Sequence, residues 1–314
     1  MDTGEKHELM LRAAWLYHVE GMTQAEVGER LNITRRSVNE MLSEAMETGI
    51  VSVSFNSRLA ECCELEADLR RAFGLDEAVV VPSPRDPAQV HRVLGRATAD
   101  HFGRLLARRK PNSVGVGWGA TLRETIRFSR SQTLPNLTVR SLIGGLARGA
   151  EINTFETVRG FAQVLGAECQ YFVAPIYADS PESRDSILAQ SVFKRSFDLN
   201  RQVEIALLSA GEMTRKSLLV RYGLPRPESL GELEKAGAVG DLMGRFMDAE
   251  GTLLNHPVNR QVLAPEMADF LEIPIRIVAS GGLYKARIME AIARAKHANV
   301  IVTDTDCARA MLAG

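Results

Sequence analysis

Leu9, Ala13, Leu16 and Tyr17 recur at helical spacing, with Trp15 beside them, and predict a helix over 6–20. Gly21 stands where a C-capping glycine ends such a helix. Thr23-Gln24-Ala25-Glu26 then has the makings of a capping box. The hydroxyl at the N-cap accepts from the N–H three residues on, and the carboxylate there accepts from the N-cap N–H. A short helix over 24–31 follows, with Ala25, Val27 and Leu31 available for burial. Asn32-Ile33-Thr34 makes a tight turn with Thr34 as the next N-cap. A third helix is expected over 35–47, burying Val38, Met41, Leu42 and Ala45. Gly49 ends it, and Ile50 to Phe55 alternates as a strand.

The period changes further on. Residues 58–73 read as a helix with Leu59, Cys62, Leu65, Leu69 and Phe73 along one side. Beyond it, apolar strands are expected at 79–81, 113–117, 137–143, 168–173, 204–209, 275–279 and 300–302. Helices are expected at 90–109, 121–130 and 156–165. Apolar strands alternating with helices predict an α/β class, with a largely parallel, Rossmann-like sheet covered on both faces. The expected division is 1–56 and 57–314.

Composition narrows the functional classes. A formal net charge of -1 excludes a generally basic nucleic-acid binder, so any DNA contact must be local. Cys62, Cys63, Cys169 and Cys307 lack metal-ligand spacing, and the adjacent pair is badly placed for a disulfide. Neither a metal nor a cofactor is expected. The first ten residues are charged, and no apolar run approaches the roughly 18 to 20 residues that span a bilayer. The expectation is a soluble cytoplasmic protein with no membrane partner.

Three helices, the last two joined by a short turn, describe a helix-turn-helix, winged if 50–55 forms its strand. In that unit the last helix enters the major groove N-terminus first. The candidate DNA-binding set is therefore Arg35, Arg36, Ser37, Asn39 and Glu40, with Thr23, Gln24 and Thr34 at the helix starts. Arginine suits guanine or phosphate, and asparagine suits adenine. The alternative is a three-helix bundle that binds no DNA. Residues 1–55 hold five cations, Lys6, Arg12, Arg30, Arg35 and Arg36, against nine carboxylates. One copy should bind DNA weakly, and a dimer or tetramer on paired half-sites would compensate.

Ligands of parallel sheets bind at the carboxyl ends of strands. Four loops there stand out. Gly117-Trp118-Gly119 lets backbone N–H groups approach an anion, and Thr121 is expected to cap the next helix and donate its hydroxyl to a phosphate. Gly144-Gly145 leads past Arg148 to Asn153, which is read equally as a sugar ligand or a capping residue. In Gly237 to Phe246, Asp241 accepts ligand hydroxyls or caps a helix. Lys285, after Ser280-Gly281-Gly282, meets a phosphate or lies exposed in a first helical turn. Of the six histidines only His256 looks placed for chemistry, and a turn role is the plainer reading.

The run LYHVEGMTQAEV, followed by LNITR, resembles the DNA-binding segment of SorC-family sugar-responsive regulators. GVGWGATL, GG…EIN, GAVGDLMGRF, HPVN and SGGLYKA resemble that family's effector domain in order and context. The resemblance implies a domain similar to sugar-phosphate isomerases that senses its ligand without turning it over. It implies a regulator, expected to be a repressor, of a carbohydrate or polyol operon, with erythritol catabolism as the nearest specific case. Gly119, Thr121 and Lys285 would lie near a phosphate, and Asn153 and Asp241 near the sugar. Some relatives place an arginine before the paired glycines where this chain has Leu142-Ile143. That departure favours a monophosphate over a bisphosphate and leaves a free sugar or polyol open. The rival class is an isomerase- or deaminase-like enzyme on a sugar phosphate.

Overall fold

The structure, a computed structural model, describes residues 3–51, 58–146, 153–215, 217–226 and 229–314. The chain forms two compact units, Met1–Ser57 and Arg58–Gly314.

The first unit holds α1 (Thr3–His18), α2 (Gln24–Leu31) and α3 (Arg35–Glu47). Met10, Ala13, Leu16, Val27, Val38, Leu42 and Ala45 form its core. The capping box is made: Glu26 N donates to Thr23 Oγ1 at 3.3 Å, and Thr23 N donates to Glu26 Oε2 at 2.7 Å. The second of these, with the Thr23 hydroxyl donating to the same Oε2 at 2.8 Å, holds the Glu26 carboxyl below its ordinary range. Thr23→Ala removes the first bond and should cost about 1 kcal/mol of unfolding free energy, read by urea denaturation of the full chain. The chain turns sharply after α2, with Asn32 left-handed at φ 55°. A Cβ on Gly28 would lie 2.8 Å from the Ile33 carbonyl oxygen, so glycine permits the close return. Ala25, expected to be buried, is exposed, because α2 turns Val27 and Gly28 inward. Residues 52–55 of the expected strand lie outside the described residues. Val51 N donates to the Ala45 carbonyl at 3.0 Å.

The second unit begins with α4 (Arg58–Phe73), β1 (Glu77–Val81), α5 (Val90–Arg109), β2 (Ser113–Val116), α6 (Ala120–Phe128) and β3 (Thr138–Ser141). It continues with α7 (Thr154–Leu165), β4 (Glu168–Gln170), α8 (Pro181–Leu188), α9 (Ser191–Asn200), β5 (Ile205–Leu208) and β6 (Gly211–Glu212). Next come α10 (Leu218–Tyr222), α11 (Ser229–Lys235), β7 (Gly240–Leu242), β8 (Arg245–Met247), α12 (Pro257–Gln261) and α13 (Met267–Leu271). The last elements are β9 (Ile275–Ala279), α14 (Ala286–Arg294), β10 (Val300–Asp304) and α15 (Thr305–Ala313).

Seven strands form a parallel sheet in the order β1-β10-β9-β5-β2-β3-β4. β2, β5 and β10 are buried along their whole length, which is why they show no alternation of apolar and polar positions. One face packs Val114, Val116, Leu207 and Val302 against Phe102, Leu122 and Phe161. The other packs Ala206, Leu208, Val278 and Ile301 against Phe246, Met289 and Ile292.

The third loop differs from expectation. Gly240–Leu242 and Arg245–Met247 are strands of an antiparallel hairpin turned at Met243 (φ 53°) and Gly244 (φ 75°), and β6 extends it to three strands. Asp241 therefore caps no helix. Strands of two or three residues are too short for alternation to show in the sequence.

The order of strands places a crevice. From β2 the chain winds through β3 to β4 on one side, and from β5 through β9 to β10 on the other. The loops leaving β2 and β5 diverge, and the gap at their carboxyl ends is where such sheets bind ligands.

Candidate functional site

A cavity of about 290 Å³ opens at that gap. Gly117, Trp118 and Gly119 form one wall, and Ser209, Ala210, Gly211 and Glu212 the other. Asp241 and Gly244 of the hairpin, His91 of α5 and Lys285 complete it. Gly117 N still donates to the Leu207 carbonyl at 3.1 Å, so the walls part only beyond it. Gly119, at φ 141°, caps α6 without a side chain. The first-turn N–H groups of α6 therefore start without a side-chain acceptor, and the positive helix end lies at the crevice.

Lys285 is buried. Its Nζ donates to the Ala210 carbonyl at 2.7 Å and lies 3.5 Å from Glu212 Oε2. It is neither an exposed first-turn lysine nor an unpartnered one. Asp241 Oδ2 accepts from Gly244 N at 3.0 Å. Burial pushes its carboxyl up to about 7, and the Glu212 charge adds to the rise. The Gly244 N–H and the Lys285 charge oppose it. His91 Nδ1 is 3.1 Å from Thr121 Oγ1, and its Nε2 is 3.4 Å from the Tyr284 hydroxyl. Burial, with Lys285 nearby, takes His91 down to about 4, so it enters the site as a neutral donor–acceptor.

Of the sequence-derived candidates, Gly117, Trp118, Gly119, Asp241 and Lys285 meet at the crevice. Thr121 does not cap α6. It lies buried inside the helix, behind His91. Gly144 and Gly145 do not line the cavity, and their N–H groups are spent on the Leu263 and Ala174 carbonyls at 3.0 and 2.8 Å. They serve the approach of a neighbouring segment, not an anion. Asn153 precedes α7 and donates to the Leu146 carbonyl at 3.1 Å, away from the cavity wall. Arg148 lies outside the described residues. His256 caps α12, its Nδ1 accepting from Val258 N at 3.3 Å.

His91, Glu212 and Tyr284 escaped the sequence reading. Glu212 was within reach, because it closely follows β5 at a strand's carboxyl end. His91 carries no local signal, since its helix brings it from the far end of the fold.

In the first unit Arg35, Arg36, Asn39 and Glu40 are exposed around the start of α3, while Ser37 is half-buried. Arg36 Nε pairs with Glu40 Oε1 at 2.9 Å, and Gln24 Nε2 donates to Asn39 Oδ1 at 3.2 Å. Thr34 caps α3, its Oγ1 accepting from Ser37 N at 3.1 Å. Among the described residues no cluster of three or more His, Cys, Asp or Glu could hold a metal ion.

Residues 57–313 match the family described as "Putative sugar-binding domain". The chain is 28% identical over 306 residues to the erythritol catabolism regulatory protein EryD of Brucella abortus, covering 97% of this chain and 96% of that one. It is 29% identical over 311 residues to the deoxyribonucleoside regulator of Bacillus subtilis, covering 98% of each. The full-length sorbitol operon regulator SorC of Klebsiella pneumoniae superposes with a TM-score of 0.75 at 25% identity, over 98% of this chain and 99% of that one. The mixed α/β architecture with its parallel sheet is shared with that structure. Among the described residues no helix is long and apolar enough to cross a membrane.

Proposed function

The chain belongs to the sugar-binding domain family of SorC-type regulators, and from that premise we propose that it is a DNA-binding repressor of a carbohydrate or polyol catabolic operon. Residues 1–56 are the helix-turn-helix, with α3 reading the groove. Residues 57–314 sense the effector and assemble the homo-oligomer, a dimer or tetramer. The effector is a sugar phosphate or a polyol bound in the crevice. The single observation that carries this is the crevice itself. It sets the α6 N-terminus and the Lys285 ammonium beside the acceptors Glu212 and Asp241, donors and acceptors that suit a hydroxylated ligand. Binding there acts on DNA only if the ligand prefers one arrangement of the copies.

The test is fluorescence anisotropy with DNA from upstream of the protein's own operon, titrated with sugars, polyols and their phosphates. One compound class should release the DNA unchanged. The double variant Arg35→Ala, Arg36→Ala should lose about 2 kcal/mol or more of operator affinity, roughly 30-fold. Unchanged affinity would remove α3 from the groove. A second reading, an enzyme acting on a sugar phosphate, draws on Asp241, whose carboxyl near 7 suits proton transfer. Turnover in the same panel would select it.

A further inference from the structure

Residues 90–130 carry nine arginines and lysines against two carboxylates, Asp100 and Glu124, a net of +7. The whole chain carries -1, so the remainder carries -8. Two adjoining grooves gather these cations. Arg92 and Arg96 line one and Arg104 and Arg130 the other, while Asp100 and Phe128 belong to both, so the grooves form one trough. The Arg92 and Arg127 guanidinium carbons each lie 6.0 Å from the Phe128 ring centroid. All four trough arginines are exposed. Among the described residues no salt bridge ties any of them, whereas Arg108 pairs with Glu77, and Arg123 and Arg127 reach Glu124.

The arrangement works against the helices that carry it. Arg92 and Arg96, Arg104 and Arg108, and Arg123 and Arg127 are like charges one turn apart, a repulsion that Asp100 between Arg96 and Arg104 and Glu124 beside Arg123 and Arg127 offset only in part. Such a local conflict marks a use for the charge. From Arg92 to Arg104 the α5 arginines of the trough span roughly 18 Å at 1.5 Å per residue. That matches about five base pairs at 3.4 Å per step. The first unit is poor in exactly this resource: Lys6, Arg12 and Arg36 are tied to Glu44, Glu8 and Glu40, leaving Arg30 and Arg35. Phosphate neutralisation supplies much of any protein's DNA affinity.

We propose that this trough is a second DNA-contacting surface, taking the phosphate backbone of duplex DNA outside the sequence read by α3. The inference rests on the DNA-binding reading above. The contact is sequence-independent: it adds affinity and salt dependence, and leaves base choice to α3.

The full chain is compared with Arg92→Gln, Arg96→Gln, Arg104→Gln, Arg130→Gln combined, and with the four lysine replacements combined. Each is titrated by anisotropy against an operator fragment trimmed to the half-sites and one with long flanks, over a range of salt. On the long fragment the glutamine variant should lower the slope of log affinity against log salt by about 3 to 4, at about 0.9 per lost phosphate contact. Its affinity there should fall about 100-fold or more at physiological salt. The short fragment should bind as wild type does, and the lysine variant should keep the wild-type slope. The glutamine variant's melting midpoint should stay close to wild type, because the like-charge contacts relieved are balanced by the pairings of Arg96 and Arg104 with Asp100 that are lost. Equal slopes on the long fragment overturn the proposal and leave the α3 reading standing. A changed oligomeric mass in sedimentation with equal slopes overturns it too, assigning the trough to a contact between copies. A wild-type protein that binds neither fragment overturns the DNA-binding reading along with it.

Discussion

Replacing Lys285 with methionine is expected to leave operator binding in place and to abolish release by the effector, with effector affinity down about 100-fold or more. The ammonium is held by the Ala210 carbonyl at 2.7 Å and faces Glu212 at 3.5 Å, inside the crevice. Methionine keeps the stem and removes the donor, leaving a carboxylate and a carbonyl unanswered. Breaking a buried pair from one side costs about 3–5 kcal/mol, so stability should fall as well. The double variant Lys285→Met, Glu212→Gln separates the two effects. It should recover most of the stability, read by urea denaturation, and none of the effector response, read by anisotropy. An intact response in the single variant would take the ligand away from Lys285.

Asp241→Asn should stabilise the protein at pH 8 and leave it unchanged below about pH 3. The native carboxyl titrates at about 7 against an ordinary 3.8. Below about pH 3 both native and unfolded chains hold the proton. Between about 4 and 7 the unfolded chain loses it while the native one keeps it, so stability falls as pH rises. Above about 7 both are ionised and the full cost remains. At about 1.4 kcal/mol per pH unit that cost is on the order of 4 kcal/mol. Asparagine carries no proton and still accepts the Gly244 N–H. His91 works in the opposite direction, because its lowered value adds stability as pH rises from about 4 to 6.5. The difference between wild type and variant therefore isolates Asp241. Parallel pH profiles from calorimetry would refute the assignment. A residue kept at such a cost fits a binding role. If effector hydroxyls donate to its carboxylate, effector affinity rises from pH 6 to 8 in the wild type and stays flat in the variant.

How much of this was legible depended on the chemistry at each element's ends. Thr23, Glu26 and Thr34 bound their backbone neighbours locally, so the limits of α2 and α3 could be read directly. The long α5 has no side-chain cap and was legible from its apolar period instead, sustained over twenty residues. The hairpin around Asp241 and the short helices between β4 and β9 were not, because two to ten residues hold too little of any period. In the site, glycine was an ambiguous signal. Gly119 frees a helix end at the crevice, whereas Gly144 admits the backbone of Ala174 and Pro175, and the Gly145 N–H bonds that segment. Lys285 was visible as a residue but not as a buried one. His91 and Glu212 join it only through the winding of the sheet.

That winding also sets an order of events during synthesis. β1 ends at Val81, and its neighbour in the sheet, β10, begins at Val300. The ribosome must deliver everything between them before β1 has a partner, and a closure so distant in sequence is slow. The three helices of the first unit need only one another. A nascent chain can therefore carry a folded three-helix unit for most of its translation before the sheet of the second unit is complete. Until then β1 is an exposed apolar strand, open to pairing with another chain. Chains interrupted before residue 300 would combine a folded first unit with an aggregation-prone body, and the cell would have to remove them.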